Sequence, residues 1–405
     1  MRFLYSLLTL GLLASVAHAQ TAPAAADPSA AVAAPAAPSA AAPPKAADDD
    51  PRRDKRPSFI PVPIAFYQQE TGFAGGVAIL PVWRFGQDTA VRKSNARLIG
   101  WISEKKQTTL QLTHNIFTPE EKFFLSGELS YYDLAFKYYG IGNETRKSDE
   151  VTIKYPLIVF DEKVLKKVAP NLFVGLRYRL TDLGDVELKD GGESGNAAKV
   201  YDPLPLEQRN GTTSSGLGPA LLFDNRDNVL ATYRGNFVDA HVLFNGSALG
   251  SDDQFTRYQL DARHFRPLFG STNTILAAQF MGQYHSGDVP FRELGGMGAT
   301  LGGAAYNNAY LMRGIYEARF RDRQFTTVQA EIRQKLFWRI DGAVFGAVGQ
   351  VGRNLSDYSL DGTKVAAGFG GRFRFNRRDR LNIRLDYGVG SGGNSGIIFA
   401  VGEAF

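Results

Sequence analysis

From Pro57 to Phe405, apolar and polar side chains alternate again and again with a period of two. In LNIRLDYGV, Leu381, Ile383, Leu385, Tyr387 and Val389 share one face, and Asn382, Arg384, Asp386 and Gly388 share the other. Such alternation predicts a strand with one apolar and one polar side, because successive side chains of a strand point to opposite faces. FGGRFRFN sets Phe369, Phe373 and Phe375 opposite Arg372, Arg374 and Asn376. VQAEIRQ sets Val328, Ala330 and Ile332 opposite Gln329, Glu331 and Arg333.

A soluble sandwich also alternates, but its apolar face turns inward and its strands are short. Here the runs approach the roughly 9–11 residues with which a tilted strand crosses a bilayer. Their ends carry Trp83, Trp101, Tyr131, Tyr132 and Trp338, in the manner of an aromatic girdle. The expected fold is all-β: a transmembrane antiparallel β-barrel of about sixteen strands with a charged lumen. The strands are expected to begin near Phe59, Phe73, Ser94, Gln107, Lys122, Glu150, Asn171, Ser215, Asn236, Gln254, Asn273, Gln324, Asp341, Ala366, Arg380 and Gly396. If both chain ends are periplasmic, the odd-to-even connections face outward and should be the longer ones. Two of these, Asp182–Ser214 and Ser286–Arg323, are the longest of all, whereas FWRID (337–341) and NRRDR (376–380) are tight turns.

The segment ahead of the barrel changes the picture from a β-protein to an exported one. Residues 1–19 have a basic start at Arg2, an apolar run from Leu7 to Val16 and a small-x-small end at Ala17 and Ala19, the pattern of a cleaved secretory signal. Residues 20–56 form a linker, almost entirely Ala, Pro and Ser up to the charged run DDDPRRDKR, and such a composition buries no core. The barrel domain is therefore expected over 57–405, in the outer membrane of a Gram-negative bacterium, with the linker in the periplasm. The absence of Cys rules out disulfides and thiolate metal sites, and a net charge of only +5 on an exported chain argues against nucleic acid.

Catalytic and cofactor motifs are absent: there is no G-x-S-x-G, H-E-x-x-H or P-loop, and His114, His241, His264 and His285 are scattered. GVGSGG (388–393) fits G-x-G-x-x-G but precedes a strand instead of a phosphate-binding helix. Ser286 beside His285 is a feeble hydrolase candidate that loop polarity explains as well. No enzyme activity, cofactor or metal is expected.

The charge that remains to be explained lies in LMRGIYEARFRDR (311–323), where Arg313, Arg319, Arg321 and Arg323 accompany Glu317 and Asp322. The Gly-rich stretch before it can fold tightly and re-enter a cavity. A lumen lined by Glu331, Arg333, Arg372, Arg374, Arg384 and Asp386 would offer partners for its charges. These features together resemble the BamA/TamA-type outer-membrane assembly and translocation barrels, also called bacterial surface antigens. In that family the sixth external loop folds into the lumen with a V-R-G-F or V-R-G-Y tip. Met312-Arg313-Gly314-Ile315 matches the tip approximately, with Tyr316 one place late.

The resemblance implies that Arg313 is held by a strand-twelve Glu, here Glu331. It also implies a strand-thirteen Asp within F-x-D-x-G, but Phe345-Gly346-Ala347-Val348-Gly349 carries Ala347 there. LFDNRDNVLATYRG (222–235), GGRFRF, RLDYG and the final Phe405 extend the resemblance over nearly all of 57–405. Family members carry periplasmic POTRA repeats, whereas this linker is low-complexity, so the chain reads as a member lacking them.

In FIPVPIAFY, Pro61 and Pro63 lack N–H groups that would point toward the same neighbouring strand, and prolines belong at edges. The side facing strand sixteen, GIIFAVGEAF, is one possibility, which would make a weak lateral seam of Pro61, Pro63 and Phe405; a position at the periplasmic rim is the other. What the resemblance implies is assistance in inserting or translocating outer-membrane proteins or other exported substrates. The partners would be outer-membrane lipids, unfolded barrel clients and a periplasmic or lipoprotein companion. A passive channel or structural barrel with a loop-plugged pore is the alternative that the residues leave open.

Overall fold

The computed structural model describes residues 57–68, 72–86, 91–298, 311–377 and 380–405. The expected signal (1–19) and linker (20–56), and residues 299–310 of the long loop, lie outside the described residues.

Sixteen strands run up and down in chain order. They are β1 (Ser58–Gln68), β2 (Gly72–Trp83), β3 (Ser94–Ser103), β4 (Thr108–Phe117), β5 (Phe123–Tyr138), β6 (Val151–Ala169), β7 (Leu172–Leu183) and β8 (Thr212–Asp224). They continue as β9 (Gly235–Asn245), β10 (Phe255–Leu268), β11 (Ser271–Gly287), β12 (Gln324–Phe337), β13 (Ile340–Gly352), β14 (Lys364–Asn376), β15 (Leu381–Gly390) and β16 (Asn394–Val401). The largest offset from the expected starts is Ser215 against Thr212. Three short strands, Glu187–Asp190, Gly295–Gly296 and Arg321–Asp322, lie in connections. Among the described residues no helix is long and apolar enough to cross a membrane.

Every strand from β1 to β15 is joined to the next by an antiparallel ladder. Among the described residues no ladder joins β1 to β16. The sheet nevertheless curls until its ends meet: Val62 of β1 and Leu381 of β15 share a buried cluster against which Val401 of β16 packs.

Burial along the strands has the sense opposite to that of a soluble protein. On β12, Gln329, Glu331 and Arg333 are buried, while Val328 and Ile332 are 48% and 43% exposed. On β15, Arg384 and Asp386 are buried between exposed Leu385 and Tyr387. On these strands polar side chains face the lumen and apolar ones meet lipid, as in a membrane barrel.

At the end of the barrel where β1 begins and β16 ends, the connection after β8 is closed by its own side chains. The Arg226 guanidinium donates to both Asp224 carboxylate oxygens, and the Tyr233 and Arg234 amides donate to Asp227 Oδ1. Gly235 sits at φ +118°, where a Cβ would lie 2.7 Å from Arg226 Cα. This is what the D-x-R-D…R-G pattern builds.

Candidate functional site

The long connection between β11 and β12 turns into the barrel and brings Arg313 to the wall formed by β12–β15. Its Nη2 lies 2.6 Å from Glu331 Oε2, and its Nη1 donates to Asp386 Oδ2 at 2.7 Å. The guanidinium stacks 3.6 Å over the Phe345 ring. All four residues are buried. Each carboxylate has further cationic partners. Arg333 Nε donates to Glu331 Oε1 at 2.7 Å, and Arg372 bridges Glu331 and Asp386 at 3.1 and 2.5 Å. Arg384 donates to Asp386 Oδ2 at 3.0 Å.

Glycines let the loop come this close. Gly314 has φ +108°, and a Cβ on it would lie 2.6 Å from Gly388 C and Val389 N. A Cβ on Gly388 would in turn lie 2.5 Å from Arg313 O. The two backbones therefore touch at a reciprocal Gly–Gly contact. Ile315 packs against Gly390, and the half-buried Tyr316 hydroxyl accepts the Lys137 amide at 3.3 Å.

Ala347, where the F-x-D-x-G pattern has an acid, faces an apolar cluster that includes Met281, Met312 and Ile315. The second carboxylate at Arg313 comes from Asp386 on β15. Alternation places Asp386 in the lumen, but not at the height the loop tip reaches. Two further contacts escaped sequence reasoning. Glu293, early in the same loop, accepts Arg257 of β10 and the Thr181 hydroxyl of β7 (2.8 Å). Arg319 donates to the Thr145 hydroxyl and carbonyl at 2.5 and 2.8 Å and lies over Tyr139, fixing the outer limb to the β5–β6 connection. The loop is thus attached at three places on different parts of the wall.

Burial pushes the Glu293 carboxyl up, but the nearby Arg257 and Arg179 guanidiniums overcome it and hold the pKa down to about 2. His285 is buried against the Arg323 carbonyl while Ser286 points to the other face, so the two do not form a pair.

Pro61 and Pro63 stand exposed on β1, aligned with Ile79 and Val77 of its one ladder partner. Phe405 turns inward instead of running along the seam. Gly402 at φ +90° ends β16, and the Phe405 ring lies 6.4 Å from Phe265 across the lumen. Its carbonyl accepts Arg333 Nη2 at 2.9 Å, and Glu403 accepts Asn382 and Arg372. The segment after β16 is therefore joined to the charged network that holds Arg313.

No curated protein sequence matches the chain. Among solved structures, BamA from Haemophilus ducreyi lacking POTRA domains 1–3 is similar over 85% of this chain and 70% of its own, with 15% identity and a TM-score of 0.50. CdiB from Acinetobacter baumannii is similar over 85% of this chain and 59% of its own, with 11% identity and a TM-score of 0.52. At these identities the likeness is one of fold. The family model of the Omp85 superfamily domain matches residues 107–405. With most of its length inside that match, the chain belongs to the Omp85 superfamily and is a barrel of the outer-membrane insertion and translocation kind.

Proposed function

We propose that this barrel assists the insertion or translocation of outer-membrane proteins or other exported substrates, with the edges of β1 and β16 as its working surface. The observation that carries this reading is the contrast between fifteen ladders and the missing sixteenth: among the described residues β1 pairs with β2 alone and β16 with β15 alone. A strand edge in hydrocarbon leaves N–H and C=O groups without water to satisfy them, at several kcal/mol each. An arriving strand that supplies those groups is bound by them. Pro61 and Pro63 thin out the donors on β1 and so weaken any permanent closure. Arg313, Gly314, Tyr316 and Glu331 then serve to keep the loop inside, so that an opening seam does not become an open pore. Clients arrive through the periplasmic linker or a lipoprotein companion.

Comparing the outer-membrane proteome with and without the gene tests this. Depletion of several unrelated barrel proteins is expected. Unchanged levels, together with large, steady conductance when Ala299–Tyr316 is deleted, would instead make it a passive channel whose pore the loop plugs.

A further inference from the structure

On the lipid-facing side of β4–β7 one row breaks the apolar pattern. The ladders align His114 with Gly127, Gly127 with Glu162, and Glu162 with Tyr178. His114 Nε2 lies 3.3 Å from the Glu162 carboxylate. The pair closes over Gly127, where a Cβ would come within 2.2 Å of Glu162 Oε2 and 2.7 Å of His114 Cε1. The next row toward the outside is Leu112, Leu129, Phe160 and Leu180, and the next toward the periplasm is Ile116, Leu125, Val164 and Leu176.

The depth is unusual for such a pair. Outward-facing apolar residues on β5 run from Phe123 to Tyr131 and stop at Asp133, which pairs with Lys154 in the way expected of an interface. Gly127 lies at the middle of that run. An ionisable side chain facing lipid near the midplane costs about 2–4 kcal/mol for Arg or Lys, and less for an acid. His114 and Glu162 are 23% and 26% exposed, and each is the other's only polar partner among the described contacts. The second imidazole nitrogen and the remaining carboxylate lone pairs face lipid. Neither residue takes part in the lumen network or the seam.

We propose that this face docks a second copy of the same chain about a two-fold axis along the membrane normal. The two polar groups lie within 3.3 Å of each other and so at nearly one depth. A two-fold along the normal preserves depth, so His114 of each copy meets Glu162 of the other, and every group gains a second partner. Apolar side chains distinguish poorly between protein and lipid, so polar contacts of this kind set which face associates. Four strands about 4.8 Å apart and a band about 25 Å tall offer roughly 500 Å² per copy, about the minimum for a specific interface. The inference needs the barrel but not the assembly role.

The chain has no Cys, so single cysteines report contacts cleanly. In outer membranes holding the full chain, Leu129→Cys is expected to give a disulfide-linked dimer under mild oxidation. Val344→Cys, lipid-facing on β13, should stay monomeric. Replacing both His114 and Glu162 by Leu should reduce the Leu129→Cys dimer about tenfold while the folded barrel still migrates as such in unheated gels. Equal cross-linking from the two cysteines, a Leu129→Cys adduct with a different protein, or an undiminished dimer in the double Leu variant would each overturn the proposal.

Discussion

Arg313 pairs with two buried carboxylates and stacks on Phe345, and removing it takes one cation out of a network in which Arg333, Arg372 and Arg384 still hold Glu331 and Asp386. Arg313→Ala should destabilise the barrel by about 1.5–3 kcal/mol, the usual loss when a charge-assisted hydrogen bond goes but its acceptors keep other partners. The temperature at which the purified protein loses its compact gel form measures this. Arg313→Lys should lose less, keeping the charge but not the stack on Phe345 or both carboxylates. Gly314→Ala should lift the loop tip, since its Cβ would meet the backbone of Gly388 and Val389. Protease cleavage within 311–323 would report it. Glu293 adds a pH dependence. Its folded pKa lies below the usual carboxylate value, so its contribution is complete above about pH 4.5. That contribution fades as pH falls toward about 2. Acid titration of loop cleavage should show the loop loosening in that window in the parent and less change in Glu293→Gln. Glu331 could be placed on the polar face from the alternation in VQAEIRQ, and the family resemblance named it as the partner of Arg313. Asp386 could not be assigned to Arg313, since alternation gives a face but not where a folded loop arrives.

At the scale of the element, strands such as β12, β14 and β15 were readable from their period of two, whereas β1 and β2, apolar on both faces, were legible as apolar runs between turn residues. The short strands Glu187–Asp190, Gly295–Gly296 and Arg321–Asp322 were not, since two to four residues carry no periodicity. The path of the long loop was equally hidden. It depends on Gly314 meeting Gly388 and on Arg319 reaching Thr145, contacts between segments far apart in sequence. The strands should also differ in how firmly they are held. β5 and β6 are paired along their length, Phe123–Tyr138 with Val151–Lys166, whereas β1 and β16 each have one ladder partner. Amide exchange in detergent should therefore be fastest among the barrel strands on β1 and β16. Protection of those two matching that of β5 and β6 would mean that the seam is closed by hydrogen bonds.

For the whole molecule, the described residues set ion pairs and loop contacts on opposite walls of the lumen. The Arg313 network fills one wall. On the other, Asp161 holds Arg177 and Arg179, Lys163 pairs with Asp239, and Arg177 reaches His241 at 2.9 Å. The described parts of the loop reach both walls, and the segment after β16 enters from the end where the strands β1 and β16 have their chain termini. Single-channel conductance of the intact barrel should accordingly be small, and large only after Ala299–Tyr316 is removed. On the function proposed above, a barrel filled in this way, with no ladder between β1 and β16 among the described residues, would pass its substrates through the wall. The direct measurement is to lock that wall with paired cysteines on β1 and β16, such as Val62→Cys, in the buried cluster, and Val401→Cys, packed against it. Oxidised cells should lose outer-membrane barrel proteins as strongly as cells without the gene and recover on reduction. Normal barrel levels with the disulfide fully formed would contradict a working seam.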